Sequence, residues 1–269
     1  VSPINTALRD FESLERLATE PSALSALDPR AKILATLGFI FTVVSFHRTS
    51  VAALLPLAAF PVVLAALGNV PWRMIGRSVL LASPFAVMLG MFNPLLDQQT
   101  VLTMAGVPVS SGFLSFVSIL IRFALTVSAG LILLASTGFH PICSGLSRLG
   151  LPQLFTTQLL LLHRYALVLA GETARMSLAR ELRANGRPMR LAIYGPLLGH
   201  LLLRALQRAQ RVHQAMLSRG FDGGLHRSAT GHWQHRDTLF LSACMLGFVL
   251  ARQLDLAHLL GALVLAVAR

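Results

Sequence analysis

An all-α integral membrane protein is the fold class predicted here, and three observations carry it. Only 13% of the 269 residues are charged while 54% are hydrophobic, and soluble domains carry about 25% charged residues. Mean hydropathy is +0.66. Apolar runs of helical length recur along the chain, and the cations between them gather in a few stretches. About five spans, or six if the last segment is a re-entrant hairpin, are expected, together with long amphipathic helices outside the bilayer.

Residues 1–27 place Ile4, Leu8, Phe11, Leu14 and Leu17 at helical spacing, which predicts an amphipathic surface helix ending before Pro21. No apolar core precedes Ile33, so this stretch does not read as a signal peptide. Asp28-Pro29-Arg30-Ala31-Lys32 then starts a membrane helix. Asp28 suits the cap, Pro29 the first turn, and the two cations the headgroup layer. Ile33–Phe46 is the first apolar run and Val51–Leu67 the second. A loop with Trp72, Arg73 and Arg77 leads to the third, Val79–Leu96, which carries Pro84 and Asn93-Pro94. Residues 97–111 hold no cation. Gly112–Phe139 is the fourth span, with Arg122 inside it. A charge in a span is costly and wants a partner or a carbonyl. The last run, Thr238–Ala268, contains Arg252 and Asp255, three apart and able to pair.

Between His140 and Arg236 no run is long and apolar enough to be read as a span. A helix over about 154–183 turns from apolar to basic and stops at Asn185-Gly186. A second, Leu202–Phe221, sets Arg204, Arg208, Arg211 and Arg219 on one face and Leu202, Leu206, Ala209, Val212, His213 and Met216 on the other. Gly220 suits a left-handed cap. The expected organisation is residues 1–139 as a surface helix with four spans, 140–236 as an extramembrane helical region, and 237–269 as a last membrane segment.

Nineteen of the 23 Lys and Arg fall in residues 1–32, 71–78 and 140–236. The positive-inside rule places those stretches in the cytoplasm. The net charge of +12 thus reflects topology, and nucleic acid is not an expected partner. Anionic lipid headgroups are. No phosphate loop, HExxH or paired carboxylates occur, so no catalytic residues and no enzyme activity are expected. Cys143 and Cys244 form no framework, and His226, His232 and His235 lack a thiolate or carboxylate at ligand spacing, so no metal site is expected.

DPRAK, NPLLD, GLPQLFTTQLLLLHRY, the Ala-Arg-Glu triplet and RAQRVHQAMLSRGFDGG occur in that order. Together they resemble the transmembrane coupling subunit of energy-coupling-factor transporters, in particular the CbiQ type of cobalt systems, over about residues 27–224. The resemblance implies a noncatalytic subunit of an ATP-driven importer in a bacterial inner membrane. Two ABC-type ATPases, holding ATP and Mg, would dock on its coupling helices. A substrate-capturing membrane subunit for cobalt would meet its spans, with a small accessory membrane subunit as a further partner. The chain itself would bind no cofactor. The family's two Ala-Arg-Xaa motifs map onto Ala179-Arg180-Glu181 and Ser218-Arg219-Gly220, with Glu181 and Ser218 departing from the usual pattern. Asp28, Arg30 and Arg122 are further candidates for structural or partner contacts. The same subunit type serves nickel or a vitamin such as biotin in the alternative reading. An autonomous secondary transporter is the competing class, but the chain has no two-half repeat.

Overall fold

The computed structural model describes residues 22, 24–47, 51–96, 100–104, 107–183, 194–221 and 233–253. The surface helix expected over 1–27 lies largely outside them, as do Asn185-Gly186, His226, His232 and Asp255. Nine helices run through the described residues. They are α1 (Pro29–Ser45), α2 (Ala59–Leu67, after two 3-10 turns), α3 (Trp72–Gly90), α4 (Phe92–Leu96), α5 (Ser111–Thr137), α6 (Phe139–Arg148), α7 (Gln153–Arg183), α8 (Tyr194–Leu217) and α9 (His235–Gln253). The fold is that of an all-α membrane protein with one small addition. A two-stranded antiparallel hairpin, β1 (Thr100–Met104) and β2 (Val107–Ser110), stands where the sequence reading noted only a cation-free stretch. Pro108 is tolerated in β2 because a two-stranded ribbon has only edge strands.

Two compact units contain these elements: residues 17–138 with 231–269, and residues 139–230 with 1–16. In the first unit, α1 starts as the sequence predicts. Asp28 caps it by accepting from the Arg30 N–H at 2.9 Å, and Pro29 fills the first turn. Phe39, Val43, Leu54, Leu57, Leu125, Ala129 and Phe248 form the core. The Phe39 ring stacks on Phe60 at 4.6 Å, and Phe248 meets both.

Helix directions follow from pairs of contacts. Asp28 meets Asp237, Gly38 faces Met245, and Ser45 meets Arg252, so α1 and α9 run parallel. Arg122 lies at the end of α1 while Ser136 shares a recess with Lys32 and Thr36 near its start, so α5 runs antiparallel to α1. A Cβ on Gly90, at the end of α3, would sit 2.6 Å from the Phe116 ring near the start of α5. That glycine therefore permits a close antiparallel crossing of α3 and α5. The end of α5 and the start of α9 thus lie at the same end of α1.

Three helical stretches are long and apolar enough to cross a membrane among the described residues: Trp72–Pro94, Ser111–Thr137 and Gln153–Arg183. The third was not expected, because the apolar residues 159–170 reach spanning length only with the helix on either side of them. Its 31 residues extend about 46 Å at 1.5 Å per residue. The helix that follows, α8, carries Arg204, Arg208 and Arg211 and is not among the three.

Candidate functional site

The second unit holds both arginine triplets at helix ends. Ala179, Arg180 and Glu181 occupy the last turn of α7, where Arg180 and Glu181 are exposed and Ala179 is half-buried. Glu181 makes no ion pair with Arg180 or Arg183 among the described residues. Ser218, Arg219 and Gly220 form the exposed turn that closes α8. Gly220 has φ +76°, the left-handed cap expected of it, and the Phe221 N–H returns to the Met216 carbonyl at 3.0 Å. Exposed leucines flank both arginines: Leu178 and Leu182 on α7, Leu217 on α8. A charged fork beside bare apolar surface is the composition of a docking patch.

What joins α7 to α8 corrects the reading of the second helix. The half-buried positions of α8 are Leu197, Leu201, Ala205, Arg208, Val212 and Met216, spaced by four or three. Arg208 lies in the middle of that packed stripe, and its Nη2 donates to Glu172 Oε1 of α7 at 2.6 Å. Leu202 and Leu206, placed on the helix's apolar face by sequence, are exposed instead. A helical wheel groups residues by angle but cannot say which face finds a neighbour. The Glu172 side chain is 12% exposed and Arg208 39%, so the pair is only moderately sheltered from water. Glu172→Ala is expected to lower the melting stability by about 1 kcal/mol. A double-mutant cycle with Arg208→Ala should return most of that as coupling energy.

Further along α7, His163 is buried and stacks on Phe139 of α6 at 4.3 Å, with His140 edge-on at 5.6 Å. This aromatic cluster sets α6 against α7. Cys143, also on α6, is a free buried thiol whose pKa burial pushes up, which keeps it from the reactive thiolate form.

The remaining site candidates lie in the first unit. Arg30 Nε approaches Asp28 Oδ1 at 3.8 Å. Arg122 Nη2 donates to the Phe46 carbonyl at 3.0 Å and the His47 carbonyl at 2.5 Å, which tethers α5 to the end of α1. Arg252 donates to Ser45 Oγ at the same end of α1.

Two residues at the opposite end were not picked out by sequence. Lys32, expected in the headgroup layer, is buried at 4% exposure. It lies ahead of the apolar run that begins at Ile33, and burial pushes its ammonium down to about 8 while the charges of Asp28 and Asp237 pull it up. It lines a recess of about 10 Å³, room for one water, with Thr36, Ser136 and Phe240. Asp237 is 2% exposed and accepts from the Gln234 N–H at 2.8 Å and the Asp28 N–H at 2.7 Å. A signal existed for it: a carboxylate three residues after a polar residue, just before an apolar run, is the spacing of a capping box. His235 opens the same helix. Among the described residues, no three metal-ligating side chains converge.

Comparison with known proteins agrees with this architecture. The profile of CbiQ, described as cobalt transport protein, matches residues 20–233. The chain belongs to the cobalt transport protein family. This CbiQ-family chain is also 24% identical over 242 residues to the uncharacterized protein MJ1571 of Methanocaldococcus jannaschii, covering 86% of this chain and 81% of that one. The matched region takes in both arginine triplets, Lys32 and the Asp28 cap, and stops just short of Asp237. As a CbiQ-family protein the chain is a membrane component of cobalt transport.

Proposed function

We propose that this chain is the noncatalytic coupling subunit of an ATP-driven importer, with cobalt as cargo. In this reading α7 and α8 are two arms on the cytoplasmic face of an inner membrane. Each presents one arginine, Arg180 or Arg219, to one of two ABC-type ATPases that hold ATP and Mg. A substrate-capturing membrane subunit, with a small accessory subunit, meets the spans of the first unit. The observation that carries the reading is the pairing of the arms. The Glu172–Arg208 bond links two helices whose exposed tips each bear an arginine beside bare leucine. Such a pair has little use to a protein that works alone. It suits one that two partners grip and push.

The autonomous carrier draws support from one observation, the length and apolarity of α7. Against it stands α8, whose Arg204, Arg208 and Arg211 would be costly to bury in a bilayer. A nickel or vitamin importer would use the same coupling chain, because the cargo is held by another subunit.

Gentle affinity purification of the tagged chain from native membranes tests the proposal. An ABC-type ATPase and a small membrane subunit are expected to co-purify, and the latter identifies the cargo by its metal or vitamin binding. A chain recovered alone that moves Co2+ into liposomes unaided would replace this reading with the carrier.

A further inference from the structure

We infer that Glu172 is a positioning residue that yokes the outer part of α7 to α8, so that both arginine tips swing together at Gly171, a role that rests on the coupling reading above. α7 is one continuous helix of 31 residues, but its two parts have different neighbours. The inner part packs on α6: His163 is buried with its ring stacked on Phe139, and Thr156 and Thr157 of the same stretch are buried too. The outer part is bonded to α8 through Glu172, which accepts from Arg208 Nη2.

Gly171 stands at the boundary between the two parts. A Cβ added there would meet nothing within 4 Å, so no close approach requires the glycine. Glycine is the weakest helix former apart from proline, because it leaves the backbone freest. Thr173 Oγ1 donates to the Leu169 carbonyl at 2.7 Å, across the same turn. Back-bonds of that kind bend helices, and bends gather at glycine and where side chains enter the hydrogen-bond ladder. Alanine would fit at this position and stiffen the helix. Glycine lets it bend.

Glu172 is the first residue beyond that point, so its bond decides what travels with the outer part. Arg208 lies in the packed stripe of α8 between Ala205 and Val212, where apolar contacts alone would let the helices slip by a turn. An ion pair at one place in the stripe fixes register, the best-attested use of such links. Arg204 and Arg211, about one turn to either side, are exposed and make no ion pair among the described residues. Arg180 stands nine residues beyond Gly171, about 13 Å along the axis at 1.5 Å per residue. A bend of about 10° at Gly171 therefore shifts it by about 2 Å. Through Glu172 the second tip, Arg219, shifts with it.

The test uses the complete transporter, purified with its ATPases and reconstituted in vesicles, with Co2+ as the probe. Gly171→Ala is expected to melt no lower than wild type and to recover its ATPases within about twofold. Co2+ taken up per ATP hydrolysed is nevertheless expected to fall about fivefold, the ratio that matches the difference in helix propensity between the two residues. Glu172→Gln is expected to lower uptake per ATP to a similar degree, by freeing α8 from the outer part of α7. Exchanging the charges, Glu172→Arg with Arg208→Glu, should bring uptake per ATP back to within about twofold of wild type. Unchanged uptake per ATP in Gly171→Ala removes the hinge, and unchanged uptake in Glu172→Gln removes the yoke; either overturns the inference. So does a charge exchange that behaves like Glu172→Gln, or a lowered melting temperature in Gly171→Ala, the mark of a glycine needed only for packing. Failure of the coupling reading shows separately, as a wild-type chain that captures no ATPase, and it takes this inference with it.

Discussion

Arg180→Ala combined with Arg219→Ala is expected to strip the ATPases from the chain while leaving the chain itself folded and in the membrane. Both side chains are exposed at helix ends and neither takes part in an ion pair among the described residues, so their removal disturbs no internal contact. In the docked complex each guanidinium would be desolvated against a partner carboxylate or carbonyl. Truncating one member of such a pair costs about 2–5 kcal/mol. Even the lower figure reduces binding about thirtyfold at each dock. ATPase recovered per chain in affinity purification is the measurement, and recovery at the wild-type level would remove both triplets from the interface. The single variants add information. Glu181 sits beside Arg180 where the second triplet has Gly220, so an unequal loss would show that the two arms are gripped differently.

The largest effect on the fold itself is expected from Phe39→Ala. Phe39 is fully buried in α1, its ring stacked on Phe60 and tilted against Phe248. Removing a buried phenylalanine costs about 3–5 kcal/mol in soluble proteins, part of it transfer to water and part the cavity left behind. In a bilayer the transfer part shrinks, because lipid tails receive apolar surface as readily as a core does. The cavity and the lost ring contacts remain. A loss of about 3 kcal/mol is therefore expected, near the low end of that range. Detergent-solubilised thermal unfolding measures it. A loss below about 1 kcal/mol would mean that α1, α2 and α9 do not pack as described.

Much of the fold was legible because its signals are local. The Asp28 cap, the proline in the first turn of α1, the left-handed Gly220 and the long helix from about residue 154 to 183 each follow from a few neighbouring residues. The arginine triplets and the family resemblance were likewise local motifs in order. What escaped the sequence was set by pairing at a distance. Arg208 belongs to a basic face by its angle, yet Glu172, 36 residues earlier, draws it into the packed stripe. Lys32 reads as a headgroup cation until Asp237 is seen beside it. The β1–β2 hairpin was missed because attention to charge in residues 97–111 passed over the β-branched residues there, Thr100, Val101, Thr103, Val107 and Val109.

The parallel pairing of α1 with α9 also orders events during synthesis. The face of α1 that α9 covers is made about two hundred residues before its partner, given the 209-residue separation of Asp28 and Asp237. At ~5–20 residues per second, that is a wait of roughly 10–40 s on the ribosome. Among the described helices, α1 is thus made earliest and closed in among the last, and the two arms are already made when that happens.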